Sequence, residues 1–157
     1  MTDPKRRILL QGSLAAGAVG VVVGTGLLTP HAVLAAWPEN AFEAEQLDEA
    51  LKALLGTDTY KTSDHVKLKS PDIAENGAVV PVTVEADMEG IDSISIIATG
   101  NQTPLVASFT LGAGALGFVS TRIKMAETAN VIALVKAGDQ LMSASKKVKV
   151  TVGGCSG

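Results

Sequence analysis

Residues 66–152 alternate between apolar and polar positions over most of their length. In the run 80–86, valines at every second position alternate with proline, threonine and glutamate. A period of two places successive side chains on opposite faces of an extended chain, which predicts strands with one buried face. Runs of this kind lie at 66–68, 80–86, 94–98, 105–111, 119–125, 131–135 and in the final stretch that ends at Val152.

Turn signals separate these strands, about seven in number. Glu-Asn-Gly, Glu-Gly, Thr-Gly-Asn and Ala-Gly-Asp sequences lie between consecutive runs. Short strands at this spacing with glycine-containing turns are typical of an antiparallel β-sandwich. The fold class predicted is therefore mainly β, an immunoglobulin-like antiparallel β-sandwich. Pro81 has no N–H group to donate to a strand ladder, so we expect it on a sheet edge.

A helix is predicted before the strands, in the stretch AFEAEQLDEALKALLG that follows Asn40. Its apolar residues recur at spacings of three and four, which puts them on one helical face. Asn40 and Glu43 are spaced like an N-terminal capping pair, and Gly56 is a natural stop. We expect this helix to lie over one end or edge of the sandwich; the alternative is an element that docks a partner.

Residues 1–36 have the composition of an export signal. A basic start with Arg6 and Arg7 precedes an uncharged stretch from Ile8 to Leu28 and then small residues. This order predicts a signal that is cleaved near residue 36, and the paired arginines resemble the twin-arginine export pattern. The alternative is a retained membrane anchor, since the apolar stretch is about long enough to span a bilayer. We expect the cleaved form to be periplasmic.

Charge and aromatic content argue against a nucleic-acid-binding protein. The whole chain has a net charge of −3, and residues 1–36 hold three of its basic residues and one acidic residue, so the rest carries −5. Phosphate backbones require a basic surface. The chain has only one Trp, one Tyr and three Phe, too few for a platform that stacks bases.

Cys155 is the single cysteine, in the sequence Gly153-Gly154-Cys155-Ser156-Gly157 that follows the last predicted strand. It has no partner for an internal disulfide, which leaves a bond to another chain, a free thiol, a metal ligand or a nucleophile. A nucleophile needs a fixed base and oxyanion hole, and a metal needs more ligands than one Cys, His65 and scattered methionines such as Met125 and Met142.

Glycines on both sides of Cys155 point to a thin arm that carries a thiol to other proteins. The organisation predicted is thus a signal over 1–36, a helix and sandwich over 37–152, and a flexible arm over 153–157. The arm is preceded by three lysines, Lys146, Lys147 and Lys149. We expect them to attract anionic cargo or an acidic enzyme rim; the alternative is that they only protect an exposed strand. A frayed terminus with an incidental cysteine is the plain alternative.

Three blocks of the sequence resemble the SoxY family of sulfur carriers in the Sox thiosulfate-oxidation system. These are Val119–Lys124, Ala129–Ala133 and the final stretch Val150–Gly157. The resemblance implies that Cys155 is the covalent attachment point for sulfur intermediates and that Gly153, Gly154, Ser156 and Gly157 form its arm. Ser156 stands where the family usually has glycine, so we expect slower or narrower access to partner sites.

The resemblance also implies partners and excludes a resident cofactor. The protein is expected to be a carrier and not an enzyme, with a covalent adduct such as an S-thiosulfonate and no metal. SoxZ is the implied heterodimer partner. Transient contacts are expected with the haem protein SoxAX, the hydrolase SoxB and, where the host has it, the sulfur dehydrogenase SoxCD. The alternatives from other classes are an exported β-sandwich scaffold and a redox or metal chaperone with an exposed thiol.

Overall fold

A computed structural model of the chain describes residues 38–152, which form two short helices and nine strands. The helices are α1 (Glu39–Glu43) and α2 (Leu47–Leu55). The strands are β1 (Lys61–Thr62), β2 (Val66–Lys69), β3 (Ile73–Ala74), β4 (Val80–Ala86), β5 (Ile91–Ala98), β6 (Leu105–Thr110), β7 (Phe118–Ile123), β8 (Ala129–Ala137) and β9 (Gln140–Val150).

The larger sheet has the order β1-β9-β8-β5-β6, and β3 also pairs with β9. β8 and β9 form an antiparallel hairpin in which Ala137 pairs with Gln140 and Ala129 with Val148. β1 and β3 both run parallel to β9, along the edge that β8 leaves free. The last strand of the chain is therefore covered on both edges, by a long partner on one and by two short ones on the other.

The smaller sheet has the order β2-β4-β7 and is antiparallel throughout. β4 is its central strand, contrary to the expectation that Pro81 would place it on an edge. Pro81 pairs with Arg122 of β7 on one side. The pairing with β2 stops at Thr83, so β2 does not reach Pro81. A central strand tolerates this proline because the neighbouring strand is too short to need its missing N–H.

The main core fills the space between the two sheets. It is built from the inward faces of the strands, with fully buried positions on β4, β5, β8 and β9 such as Val82, Ile96, Val135 and Val148. The predicted β-sandwich is confirmed: all seven predicted strands are present and pair antiparallel with one another. The two further strands, β1 and β3, have two residues each and were not predicted.

The two helices cover the outer face of the larger sheet. Ala41 of α1 and Ala50 and Leu51 of α2 are buried in a second apolar cluster with outward residues of the sheet, namely Ile97, Leu105, Ile132, Leu134 and Leu141. The helical region predicted before the strands is thus present. The expected position over one end or edge is wrong, because the helices pack on the outer face of the larger sheet.

The predicted capping pair of Asn40 and Glu43 is wrong. α1 begins at Glu39, so Asn40 already lies inside the helix, and no side chain caps its start. Ala44 and Gln46 have extended backbone angles, which divide the helical region into α1 and α2. The predicted stop is confirmed, since Gly56 ends α2 in the left-handed conformation with φ of 77° and donates its N–H to Lys52 O.

An exposed ion pair follows the end of α2. Lys52 Nζ lies 3.0 Å from Asp58 Oδ2. The hydrogen bond with Asp58 raises the pKa of Lys52, and the same bond lowers the pKa of Asp58. Both groups are solvated, so salt screens the pair and it adds little to stability.

Neither helix of the described part, residues 38–152, combines the length and the apolar character needed to cross a membrane.

Gly117 and Gly112 lie in the same loop and allow a matched test of the packing at this end of the sandwich. A Cβ on Gly117 would lie 2.5 Å from Ala86 O and 2.5 Å from Ile91 Cδ1, while a Cβ on Gly112 would meet nothing within 4 Å. We expect Gly117→Ala to lower the free energy of unfolding by about 1–3 kcal/mol because backbone must shift. Gly112→Ala should be neutral or stabilising by about 0.4–1 kcal/mol. Urea unfolding of both variants measures the difference, and equal stabilities would contradict this packing.

Candidate functional site

The predicted carrier residues Gly153, Gly154, Cys155, Ser156 and Gly157 lie outside the described residues. The structure does describe the point from which they leave the sandwich. β9 ends at Val150, and Thr151 and Val152 form a bend. We call Thr151 and Val152 the root of the arm. The geometry of the root decides where a group attached to Cys155 begins its path.

The root is held by three hydrogen bonds to one segment, residues 74–77. Thr151 N–H donates to Ala74 O at 3.1 Å. The Thr151 hydroxyl donates to Glu75 O at 2.9 Å. Val152 O accepts from Gly77 N–H at 2.8 Å. Because both the donor and the acceptor groups of the root are engaged, the backbone remains attached to the sandwich through residue 152, two residues beyond the end of the strand.

The segment that holds the root is attached to the rest of the domain on two sides. Asp72 O accepts from Lys149 N–H at 2.9 Å, next to the pairing of β3 with β9. Gly77 O accepts from Met125 N–H at 2.7 Å, and both Gly77 and Met125 are buried. The position of the root is therefore coupled to β9 and to the residues that follow β7.

A third contact approaches β9 from the side of β8. The Thr128 hydroxyl accepts a hydrogen bond from Val150 N–H at 2.9 Å. The same hydroxyl lies 3.3 Å from Val150 O, to which it also donates. The last residue of β9 is thus fixed immediately before the root, and the chain leaves the sandwich in a defined position.

The three lysines singled out in the sequence have different environments. Lys146 Nζ lies 3.1 Å from Asp72 Oδ1 and donates a hydrogen bond to Ser70 O, and its side chain is 33% exposed. Lys146 therefore fixes residues 70–72 against β9. Lys147 and Lys149 are exposed, and neither forms an ion pair with another residue in the range 38–152. Only these two are free to attract an anion or an acidic surface.

The reach of the arm follows from the chain length. Cys155 is the third residue after Val152. Fully extended, the chain places the Cys155 Cα at most about 10 Å from the Val152 Cα. Since Val152 is held by Gly77, this distance is measured from a fixed point on the domain. A thiol on such an arm has a narrow radius of action.

The other residues considered for chemistry in the sequence lie apart from one another. Met125 is buried in the main core and Met142 packs against it, while His65 is exposed. His65 O accepts from Asp87 N–H at 2.9 Å, near the end of β4 that lies away from the root. Within residues 38–152 there is no group of three or more His, Cys, Asp and Glu side chains that could hold a metal ion.

The segment 72–77 is the part of the site that the sequence pattern did not reveal. β3 has two residues, too few to show a period of two. The only sequence signals near β3 are turn residues on either side of it: Pro71 precedes β3, and the Asn76-Gly77 pair follows it. These residues identify a loop, and nothing in them shows that the loop pairs with the last strand of the chain.

Comparisons with known proteins agree on one family. The family model described as "SoxY: Sulfur oxidation protein SoxY" matches residues 51–155, a range that starts in α2 and ends at Cys155. The solved structure of the sulfur carrier protein SoxY from Chlorobium limicola f thiosulfatophilum is 42% identical, with a TM-score of 0.61, and covers 68% of this chain and 96% of that one. The search of curated proteins found no match.

Lys146 and its neighbour Lys147 provide a matched test of how the root is held. Lys146→Met keeps the aliphatic stem but removes the bonds to Asp72 and Ser70. We expect it to lower the free energy of unfolding by about 1 kcal/mol, from one hydrogen bond and one partly exposed ion pair. Amide exchange at Gly77 and Thr151 should become faster. Lys147→Met should change neither quantity, and equal effects of the two variants would show that Lys146 does not secure this segment.

Proposed function

The chain belongs to the SoxY family, and we propose that it is a periplasmic sulfur carrier that holds thiosulfate-derived intermediates covalently on Cys155 and presents them to the Sox enzymes. The observation that carries this proposal is the family match, which extends to Cys155 itself. The root geometry supports it. The described chain is held to the domain through Val152 by Gly77, and the cysteine follows three residues later.

Loading of the carrier is an oxidation of two sulfur atoms. The terminal sulfur of thiosulfate forms a bond to Cys155 Sγ, the thiol loses its proton, and two electrons pass to the haem protein SoxAX. The product is an S-thiosulfonate on the cysteine, with one negative charge. The carrier supplies the thiol and its position, and the oxidant belongs to the enzyme, in keeping with a carrier that is not itself an enzyme.

Release of sulfate is a hydrolysis and needs no oxidant. Water attacks the sulfonate sulfur, the bond between the two outer sulfurs breaks, and sulfate leaves while a persulfide remains on Cys155. SoxB is the hydrolase for this step, and SoxCD acts on the remaining sulfur where a host has it. The carbon–sulfur bond of Cys155 stays intact throughout, so the intermediate reaches each enzyme without diffusing away.

Export and assembly follow from the remainder of the sequence. Residues 1–36 have the order of a twin-arginine signal, whose pathway carries folded proteins out of the cytoplasm. SoxZ is the proposed heterodimer partner, exported together with the carrier. The described domain is suited to be one subunit of this complex, because its own sheets and helices fill its core.

The test of the proposal is mass spectrometry of the cysteine. Incubation of the protein and SoxZ with thiosulfate and SoxAX should add the mass of one thiosulfate group to Cys155, and a thiol reductant should remove it. Cys155→Ser should abolish both the adduct and thiosulfate oxidation, because a hydroxyl cannot form the sulfur–sulfur bond. Ser156→Ala, the matched control, should keep both.

Two results would refute the carrier function. One is an adduct on another residue, and the other is continued thiosulfate oxidation by Cys155→Ser. The second result would favour a scaffold, which acts through its sheet surfaces and does not need the thiol. The test also separates a carrier from a chaperone that binds metal, whose cysteine would gain no sulfur from thiosulfate.

A further inference from the structure

Exposed apolar side chains concentrate around the root. Five large apolar residues of the described chain are exposed, and three of them lie in the root or within two residues of the segment 74–77 that holds it: Ile73 at 56%, Val79 at 55% and Val152 at 64%. The other two, Leu116 and Phe118, precede or begin β7. Exposed apolar side chains that cluster mark an interaction surface more often than ones that are scattered singly.

These three side chains have no role in the core. Ala74 and Val80, the sequence neighbours of Ile73 and Val79, are buried, so the alternation of the chain directs Ile73 and Val79 outward. Ile73 pairs in register with Lys149 of β9, and Val79 follows the Gly77 that binds Val152 O. The apolar residues therefore surround the point at which the arm leaves.

Exposed cations flank this apolar surface. Lys147 and Lys149 lie on β9, and Arg122 and Lys124 lie at the end of β7 next to Met125, which binds Gly77. None of the four forms an ion pair with a residue in the described range. We call the three apolar residues and these four cations the root surface. The acidic residues closest to it in the sequence are Asp72, Glu75 and Glu127. Asp72 pairs with Lys146, so the four cations outnumber the two other carboxylates.

The opposite end of the sandwich has the opposite charge. β4 and β7 run antiparallel, so Ile123 pairs with Val80 near the root while Phe118 pairs with Glu85 at the far end, about 17 Å away along the strand. The acidic residues at that end are Asp87 and Glu89 before β5, Asp92 at the start of β5 and Asp139 between β8 and β9. They outnumber the lysines there, Lys67 and Lys136. An acidic protein would attract the root surface and repel this end.

The length of the arm makes contact at the root unavoidable. Cys155 reaches at most about 10 Å from Val152, which is fixed to the domain. To place its sulfur in a recessed active site, the domain must therefore come into contact with the protein that surrounds the entrance. The residues around the root are the ones that meet it.

We propose that the root surface is the docking surface of the carrier and that its occupant is the rim of an enzyme cleft, apolar at the contact and flanked by acidic side chains. This inference rests on the proposed carrier function and specifies how the carrier recognises its enzymes. The apolar residues supply the buried contact, and the cations steer the approach and select acidic rims. Because the same surface surrounds the arm, docking and insertion of the sulfur happen together.

Val79→Glu tests the apolar part of the root surface. It puts an anion where an acidic rim approaches, on a side chain that the core does not use. We expect kcat/KM for loading of the carrier–SoxZ complex by SoxAX and thiosulfate to fall about tenfold, the size of an effect at a central contact residue. Leu116→Glu, the control, makes the same change on the 83% exposed side chain at the opposite end. It should alter kcat/KM less than twofold.

The cations are tested by a charge reversal and by salt. Lys147→Glu combined with Lys149→Glu should lower kcat/KM several-fold at low ionic strength and weaken its decrease with added salt. Lys67→Glu is the matched control, since Lys67 is an exposed lysine on β2 that pairs with Glu85 at the far end. A salt dependence identical in all three proteins would show that these lysines do not steer the encounter.

The reaction rate of Cys155 with a small aromatic disulfide measures the accessibility of the thiol independently of docking. The disulfide should react with Cys155 at the same rate in the unaltered protein, in Val79→Glu and in the double lysine variant. Normal loading of Val79→Glu by SoxAX would overturn the docking surface while leaving the carrier function intact. A reduced rate with the small disulfide would also overturn it, since the change would then lie in the arm. If the unaltered protein gained no sulfur on Cys155, the carrier function would fail and the docking proposal with it.

Discussion

The three hydrogen bonds between the root and residues 74–77 determine where everything beyond residue 152 begins. Without them the chain would leave the sheet at Val150, and two further residues would be free to change direction. Gly77 also connects the root to the residues that follow β7, because its N–H donates to Val152 O while its carbonyl accepts from Met125 N–H. One buried glycine thus joins the exit of the arm to both sheets of the sandwich.

The segment that holds the root also covers part of the edge of β9 that β8 leaves free. An exposed edge of an eleven-residue strand presents unpaired backbone groups and invites association with other chains. β1 pairs near the start of this edge and β3 near its end, while Lys146 fixes residues 70–72 between them. Residues 70–77 therefore both protect the later part of this edge and place the arm. This explains why a loop with little regular structure contains so many specific contacts.

Sequence reasoning recovered the parts of the fold that have a period. The seven longer strands alternate visibly, and the helical face of α2 repeats every three or four residues. The two-residue strands β1 and β3 could not be found this way, because a pairing between distant residues leaves no periodic trace. The break between α1 and α2 falls at residues 44–46, where the sequence has neither glycine nor proline to signal it. The alternation along β9 puts Lys146 in phase with buried Val148 and Lys147 in phase with exposed Lys149. Only the tertiary structure shows that Lys146 is bound by Asp72.

A short arm on a fixed root has a consequence that a long arm would not have. A longer tether would let the sulfur enter an active site while the domain remained at a distance, so recognition would rest on the arm alone. Under the proposed carrier function, about 10 Å of reach would let the sulfur enter only when the domain itself is seated, so the domain would take part in choosing the enzyme. Seating would then confine the thiol near the entrance at an effective concentration in the mM range. Its insertion is then effectively intramolecular. The fixed root and the short arm act together. If the hydrogen bonds of the root were lost, the mobile part of the chain would be longer, and the thiol could enter an active site without contact between the domain and the enzyme.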